Sequence, residues 1–191
     1  MKKMIVGITG ASGVIYGVRT VEVLSQLGIE THLIITHAGL KNLEIEIRTP
    51  LEHLKSMASH VHDIEDLGAS VASGSFRVEG MVIAPCSIKS LSAIAHSYSH
   101  NLLVRAADVM LKERRKLVLL VRETPLHEGH LELMLKVTRM GGIIMPPVPA
   151  FYHQPKTIEE VIDQTIGKVL DLFSIDHHLF TRWGTLPTRI V

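Results

Sequence analysis

Short apolar runs that each break at a turn and pass into a helix-spaced segment constrain this chain more than any other feature. Met4 to Thr9 reads as a buried strand that stops in the turn Gly10–Gly13. Val18, Val21, Val23, Leu24 and Leu27 then recur at helical spacing up to a stop at Gly28. The same succession returns with strands over 31–36, 81–84, 117–121 and a short one over 143–145. Helices are predicted over 38–47, 90–96, 102–113, 130–140 and 157–172, and Thr49-Pro50 is placed to start another at Leu51. Residues 56–75 are polar and rich in His, Ser and Gly, and read as an excursion near the site. Strand and helix in alternation predict an α/β fold, a parallel sheet with helices on both faces. One domain over 1–191 is expected, with a C-terminal tail from about residue 174 that carries the only Trp, Trp183.

Bulk properties narrow the function. A formal net charge of +1 gives no global field for nucleic acid. No run is long enough to span a membrane. The single Cys, Cys86, can form no intrachain disulfide and is expected to be a buried small hydrophobe in a cytoplasmic protein. The twelve His are not accompanied by a Cys or carboxylate at ligand spacing, so no metal is expected.

The chemistry sits in the turns. In Gly80-Met-Val-Ile-Ala-Pro-Cys-Ser-Ile-Lys-Ser90 a strand stops at a proline and hands over to hydroxyls and one ammonium, an arrangement suited to a phosphorylated ligand. Gly7, Gly10 and Gly13 form a second such turn. Their spacing is not that of a dinucleotide fingerprint, and the second strand ends in Ile35-Thr36-His37 without the carboxylate a ribose diol needs. NAD is therefore disfavoured, and a mononucleotide such as FMN fits better, with the Thr36 hydroxyl available to phosphate. Arg122 and Glu123 directly follow a strand, where a ligand crevice is expected. Lys112 to Lys116 reads mainly as cations at a helix C-terminus, one of which can reach a phosphate. Arg105 and Asp108 are spaced to pair on one helix face. Pro146-Pro-Val-Pro-Ala-Phe-Tyr152 is a stiff segment delivering Tyr152, either to a phosphate or to packing.

Taken together these segments resemble the UbiX family of flavin prenyltransferases, the small partners of UbiD-type decarboxylases. The resemblance rests on Gly7–Gly13, Ala72-Ser-Gly-Ser-Phe76, Pro85-Cys-Ser-Ile-Lys-Ser90, Arg105-Ala-Ala-Asp-Val109, Leu111–Arg115, Arg122-Glu-Thr-Pro-Leu126 and Pro146–Tyr152, in the family's order and spacing. Ser87-Ile-Lys-Ser-Leu91, His96-Ser-Tyr98 and Arg182-Trp183 are nearest the bacterial ubiquinone branch. The resemblance implies a flavodoxin/Rossmann-like three-layer subunit in a homododecamer with sites at subunit interfaces. It implies FMN and dimethylallyl monophosphate as substrates and no metal. The product would be prenylated FMN, joined at flavin N5 and C6 and passed to a UbiD-type decarboxylase.

Site residues carry over by position. Gly10, Ala11 and Ser12 match a first flavin loop, Thr36 a position usually Ser, and Ser87, Ile88, Lys89 and Ser90 a second flavin loop. Arg105 matches a flavin-site arginine. Lys112 (from a neighbouring subunit), Arg122, Glu123 and Tyr152 match the holders of the prenyl phosphate. Glu46 matches the carboxylate of ring closure, near Ser12. Lys168, in Lys168-Val-Leu-Asp171, replaces the family's usual arginine, keeping charge but not the two-pronged grip. Two other readings share parts of this pattern. A flavoprotein that decarboxylates a peptidyl or pantothenoyl cysteine would need a catalytic His, for which His37 is the nearest candidate. A non-enzymatic flavin carrier would leave Lys112, Arg122, Glu123 and Tyr152 without a purpose.

Overall fold

The computed structural model describes residues 2–47 and 50–184. The chain divides into two compact units, Met1–Pro146 and Pro147–Val191. Thr49, named above as a helix start, lies outside the described residues.

The first unit is a six-stranded parallel sheet. In chain order its elements are β1 (Lys3–Ile8), α1 (Val14–Gln26), β2 (Glu30–Ile35), α2 (His37–Glu46), α3 (Leu51–Met57), β3 (His60–His62), β4 (Gly80–Cys86), α4 (Ile88–Ala95), α5 (Leu102–Lys112), β5 (Lys116–Val121), α6 (Glu128–Arg139) and β6 (Ile143–Ile144). The strand order is β3-β2-β1-β4-β5-β6. Parallel strands need crossovers, and crossovers are right-handed. The order runs one way from β1 to β3 and the other way from β4 to β6, so α1–α3 cover one face and α4–α6 the other. Contacts follow this division: α1 packs on α2 and α3, and α4 on α5 and α6.

Covered on both faces, the inner strands have no polar side to show. β4 is buried at every residue, and β1, β2 and β5 at all but their first. This is why these strands stand out as near-continuous apolar runs. The core joins Ile5, Ile34, Met81, Ile83, Leu103, Val109, Leu117 and Leu119 from sheet and helices. Cys86 lies inside it, fully buried, and burial pushes its thiol pKa well up, so it remains a neutral apolar filler as expected.

One strand escaped the sequence pattern. The expected excursion over 56–75 contains β3, a three-residue edge strand paired with β2. Its side chains are exposed or half-buried and two of its residues are His, so it carries no apolar run to read.

The second unit holds α7 (Ile158–Leu172), capped by the Thr157 hydroxyl, which accepts the Glu160 N–H at 3.2 Å. α7 gives way at Ser174, which has φ 54°, where the expected tail begins. The tail folds back on α7 through Asp171. Arg182 donates two bonds to that carboxylate, at 2.8 and 3.0 Å, and His177 Nε2 lies 3.2 Å from it. Trp183 meets Tyr152 edge to face, with centroids 5.4 Å apart. The Arg182 guanidinium is the main reason the Asp171 carboxyl is held below its usual range. A depressed pKa stabilises the clasp above the ordinary Asp range and is lost as pH falls through the lower folded value. Acid titration of the single Trp fluorescence is therefore expected to show a transition below about pH 4. Asp171→Asn should show the released signal already at neutral pH.

Candidate active site

The strand order reverses between β1 and β4, and ligands of open α/β sheets bind outside the carboxyl ends of strands at such a point. A hydroxyl ties the two strand ends together there. Thr9, fully buried just after β1, donates from Oγ1 to the Pro85 carbonyl at 2.7 Å and accepts the Ser87 N–H at 2.8 Å. Thr9→Val keeps the shape but leaves a carbonyl and an N–H unpaired, each costing about 1–3 kcal/mol. The variant is expected to unfold at clearly lower urea with an unchanged denaturant slope.

Beside this junction lies a cavity of about 260 Å³ lined by Gly10, Thr36, His37, Ala38, Ile64, Glu65, Ser87, Lys89, Ser90, His100 and Asn101. Gly10 is required by close approach, since a Cβ there would stand 2.4 Å from that of Ala38. Three helices begin at the cavity. Thr36 caps α2 by accepting the Gly39 N–H at 3.1 Å. Ser87 caps α4 by accepting the Ser90 N–H at 3.3 Å. Asn101 caps α5 by accepting the Val104 N–H at 3.0 Å. Each helix start leaves N–H groups without intrahelical partners and carries a partial positive charge. With the Lys89 ammonium and the Ser and Thr hydroxyls, the cavity suits a phosphorylated ligand of mononucleotide size.

Of the residues singled out by sequence, Gly10, Thr36, Ser87, Lys89 and Ser90 line this cavity. Ile64, Glu65, His100 and Asn101 were not anticipated. The first pair lies in the polar excursion and the second in a connection whose cap Asn101 is the only available signal. His37, the nearest candidate for the histidine of that alternative reading, also lines the cavity, with Nδ1 3.9 Å from Glu65 Oε1. Ile88 and Lys89 border a separate groove between α4 and α6, which holds the tilted, close-set rings of His127 and His130.

Ala11 is buried and Ser12 exposed in the same turn as Gly10. Gly13 ends that turn with φ 97°, a left-handed conformation natural to glycine. Glu46, at the last residue of α2, reaches back to it: its Oε2 accepts the N–H of Gly13 at 2.8 Å and of Val14 at 3.2 Å. Glu46 thus seats a carboxylate on the N-terminus of α1, beside Ser12.

The remaining residues are more dispersed. Arg105 donates Nε to the Ala72 carbonyl at 3.1 Å and Nη1 to Asp108 at 2.9 Å, making the helix-face pair its spacing allowed. Arg115 donates to the carbonyls of Gly74 and Phe76, so two arginines hold the 72–76 loop. Arg122 and Glu123 are exposed at the carboxyl end of β5, and the Arg122 N–H extends the sheet pairing to the Cys86 carbonyl at 3.0 Å. Lys112, paired with Glu113, ends α5 just before β5 begins, and so lies at the amino end of the strands, opposite the cavity. Within the second unit, Tyr152 packs against His153 and Trp183, while Lys168 Nζ stands 3.7 Å from Asp171.

One group of ligand-type side chains was not visible in the spacing. Parallel pairing of β2 with β3 brings Glu30, His32 and His60 together, their ligand atoms within 4.8 Å of one another. This cluster is at the amino end of β2, away from Thr36 and the cavity.

Comparison with known proteins agrees with this geometry. The Flavoprotein family model matches residues 1–179. A flavin prenyltransferase UbiX of Thauera aromatica is 55% identical over 181 residues, covering 95% of this chain and 93% of that protein. Among solved structures, AnUbiX (PadA1) in complex with FMN and dimethylallyl pyrophosphate superposes with TM-score 0.95 at 45% identity, covering 97% of this chain and 99% of its own. A dodecameric FMN-dependent UbiX-like decarboxylase from Escherichia coli O157:H7 gives TM-score 0.92 at 42% identity, covering 95% and 98%. Among the described residues no helix is long and apolar enough to cross a membrane. The chain therefore belongs to the flavoprotein family, in its UbiX-type flavin prenyltransferase branch.

Proposed function

We propose that this chain transfers the dimethylallyl group of dimethylallyl monophosphate to reduced FMN, joining it at N5 and C6. Prenylated FMN would then pass to a UbiD-type decarboxylase, with ubiquinone biosynthesis as the favoured setting and the cytoplasm as the favoured location. The convergence of three helix N-termini and Lys89 on one cavity carries the flavin part of this reading. FMN is here both the family's cofactor and the prenyl acceptor. Gly10, Ala11, Ser12, Thr36, Ser87, Ile88, Lys89, Ser90 and Arg105 are assigned to holding it.

The prenyl phosphate needs its own cations, because phosphate leaves poorly until its charge is neutralised. Arg122 stands at the same carboxyl end of the sheet as the cavity, one strand over from β4. We assign Arg122, Lys112, Lys168 and Tyr152 to this phosphate and Glu123 to sharing a proton with it on departure. Lys112 lies at the wrong end of the strands to serve its own chain's cavity, so its role requires a second copy. Exposed Leu131 and Leu135, one turn apart on α6, offer apolar surface for such assembly. A homododecamer is the proposed state. The departing phosphate takes the bonding electrons with it, and the carbon–nitrogen bond forms in its place. Closing the ring then adds a proton to one alkene carbon of the bound prenyl group, bonds the other to the flavin ring carbon and removes that ring carbon's proton, with phosphate as base and Glu46 relaying or stabilising charge. An apolar, water-poor pocket would protect the cation-like allyl group meanwhile.

Release of inorganic phosphate tests the donor. With reduced FMN and dimethylallyl monophosphate, one phosphate per flavin consumed is expected without added divalent metal. Strict dependence on the diphosphate would overturn the donor assignment.

A further inference from the structure

Away from the flavin cavity, the edge of the sheet gathers ligand-type side chains that the proposed reaction does not use. His32 of β2 is registered opposite His60 of β3, and Lys3 of β1 opposite Glu30. Because side chains alternate along strands, Glu30 and His32 share a face, as do His60 and His62. The result is compact. Glu30 Oε1 lies 3.1 Å from His32 Nε2 and 3.6 Å from His60 Nε2. The His32 and His60 rings stack with centroids 4.7 Å apart, and Phe76 closes one side, edge-on to His32 at 5.0 Å.

We propose that Glu30, His32 and His60 form a binding site for a divalent transition metal of the zinc class, which staples the edge strand β3 to β2. Zinc takes imidazole nitrogen and carboxylate oxygen at about 2.0–2.1 Å, placing tetrahedral donors about 3.3 Å apart. The two measured separations from Glu30 fall on either side of that spacing, and water can supply the fourth ligand. The outer contacts suit a ligating histidine: His32 Nδ1 is 2.9 Å from His62 Nε2, so a proton on Nδ1 can be held there while Nε2 faces the metal. Lys3 Nζ, 2.9 Å from Glu30 Oε1, is the competing cation, and its partly exposed side chain can withdraw. β3 is a three-residue edge strand paired on one side only, which gives the staple a purpose.

The full-length protein, stripped with a chelator, is titrated calorimetrically with Zn²⁺ and followed with Co²⁺ by visible absorption. One equivalent per chain is expected. His60→Ala and Glu30→Gln should each weaken binding at least tenfold. The His60 side chain is 56% exposed, so its truncation leaves the fold intact. A His127→Ala/His130→Ala double variant should bind as the parent does. Less than one equivalent, unchanged affinity in His60→Ala, or loss of binding in the His127/His130 variant would overturn the site.

Discussion

Glu46→Gln is expected to leave the protein folded and binding FMN while slowing formation of the finished product by about 10²–10⁴-fold, the usual worth of a positioned proton-transfer group. The structure separates the two effects. Glu46 accepts the N–H groups of Gly13 and Val14 at the start of α1. A glutamine oxygen can accept the same bonds, so only the charge at the helix end is lost, a matter of about 0.3–1 kcal/mol. Proton relay and charge stabilisation need the carboxylate itself. A flavin bearing the prenyl group at one position, with the fourth ring unclosed, should therefore accumulate under anaerobic quench. Product at the parental rate would remove Glu46 from the chemistry and leave it as a helix cap.

The second large effect is expected at Arg122. Its backbone is fixed by pairing with Cys86, while its side chain is exposed at the carboxyl end of β5. Arg122→Ala should raise the concentration of dimethylallyl monophosphate needed for half-maximal rate. A lost charge-assisted hydrogen bond is worth about 1.5–3 kcal/mol, roughly 10- to 100-fold. FMN affinity should stay within about twofold, because Arg122 does not line the cavity built by Thr36, Ser87 and Asn101. Arg122→Lys should recover only part of the loss, since an ammonium cannot reproduce a two-pronged grip. Loss of FMN with the donor requirement unchanged would move Arg122 to the flavin.

What the sequence disclosed follows from burial. β1, β4 and β5 lie under helices on both faces and are apolar after their first residue, and β2 is apolar from Leu33 onward, so their turns stand out. Thr36 and Ser87 were legible because a hydroxyl residue between a strand and a helix has few other reasons to be there. The cap Asn101 was not, because the segment before it is polar and carries no strand. Glu46 was placed near Ser12 only by resemblance. Its bonds to Gly13 and Val14 span more than thirty residues and depend on α2 running back past the first turn. The His32–His60 pairing was invisible for the same reason, being a product of strand register and not of spacing. Lys112 shows the opposite limit. Its position at the amino end of its own strands leaves its assigned role to a neighbouring copy.

The mass of the flavin after an anaerobic reaction tests prenyl transfer most directly. Purified protein would be mixed with reduced FMN and dimethylallyl monophosphate without added metal, quenched, and the flavin recovered. A gain of one prenyl unit, lost when donor or protein is omitted, is the expected result. FMN recovered unchanged from protein that binds it tightly would contradict prenyl transfer and move the weight to a cysteine-decarboxylating flavoprotein or a flavin carrier.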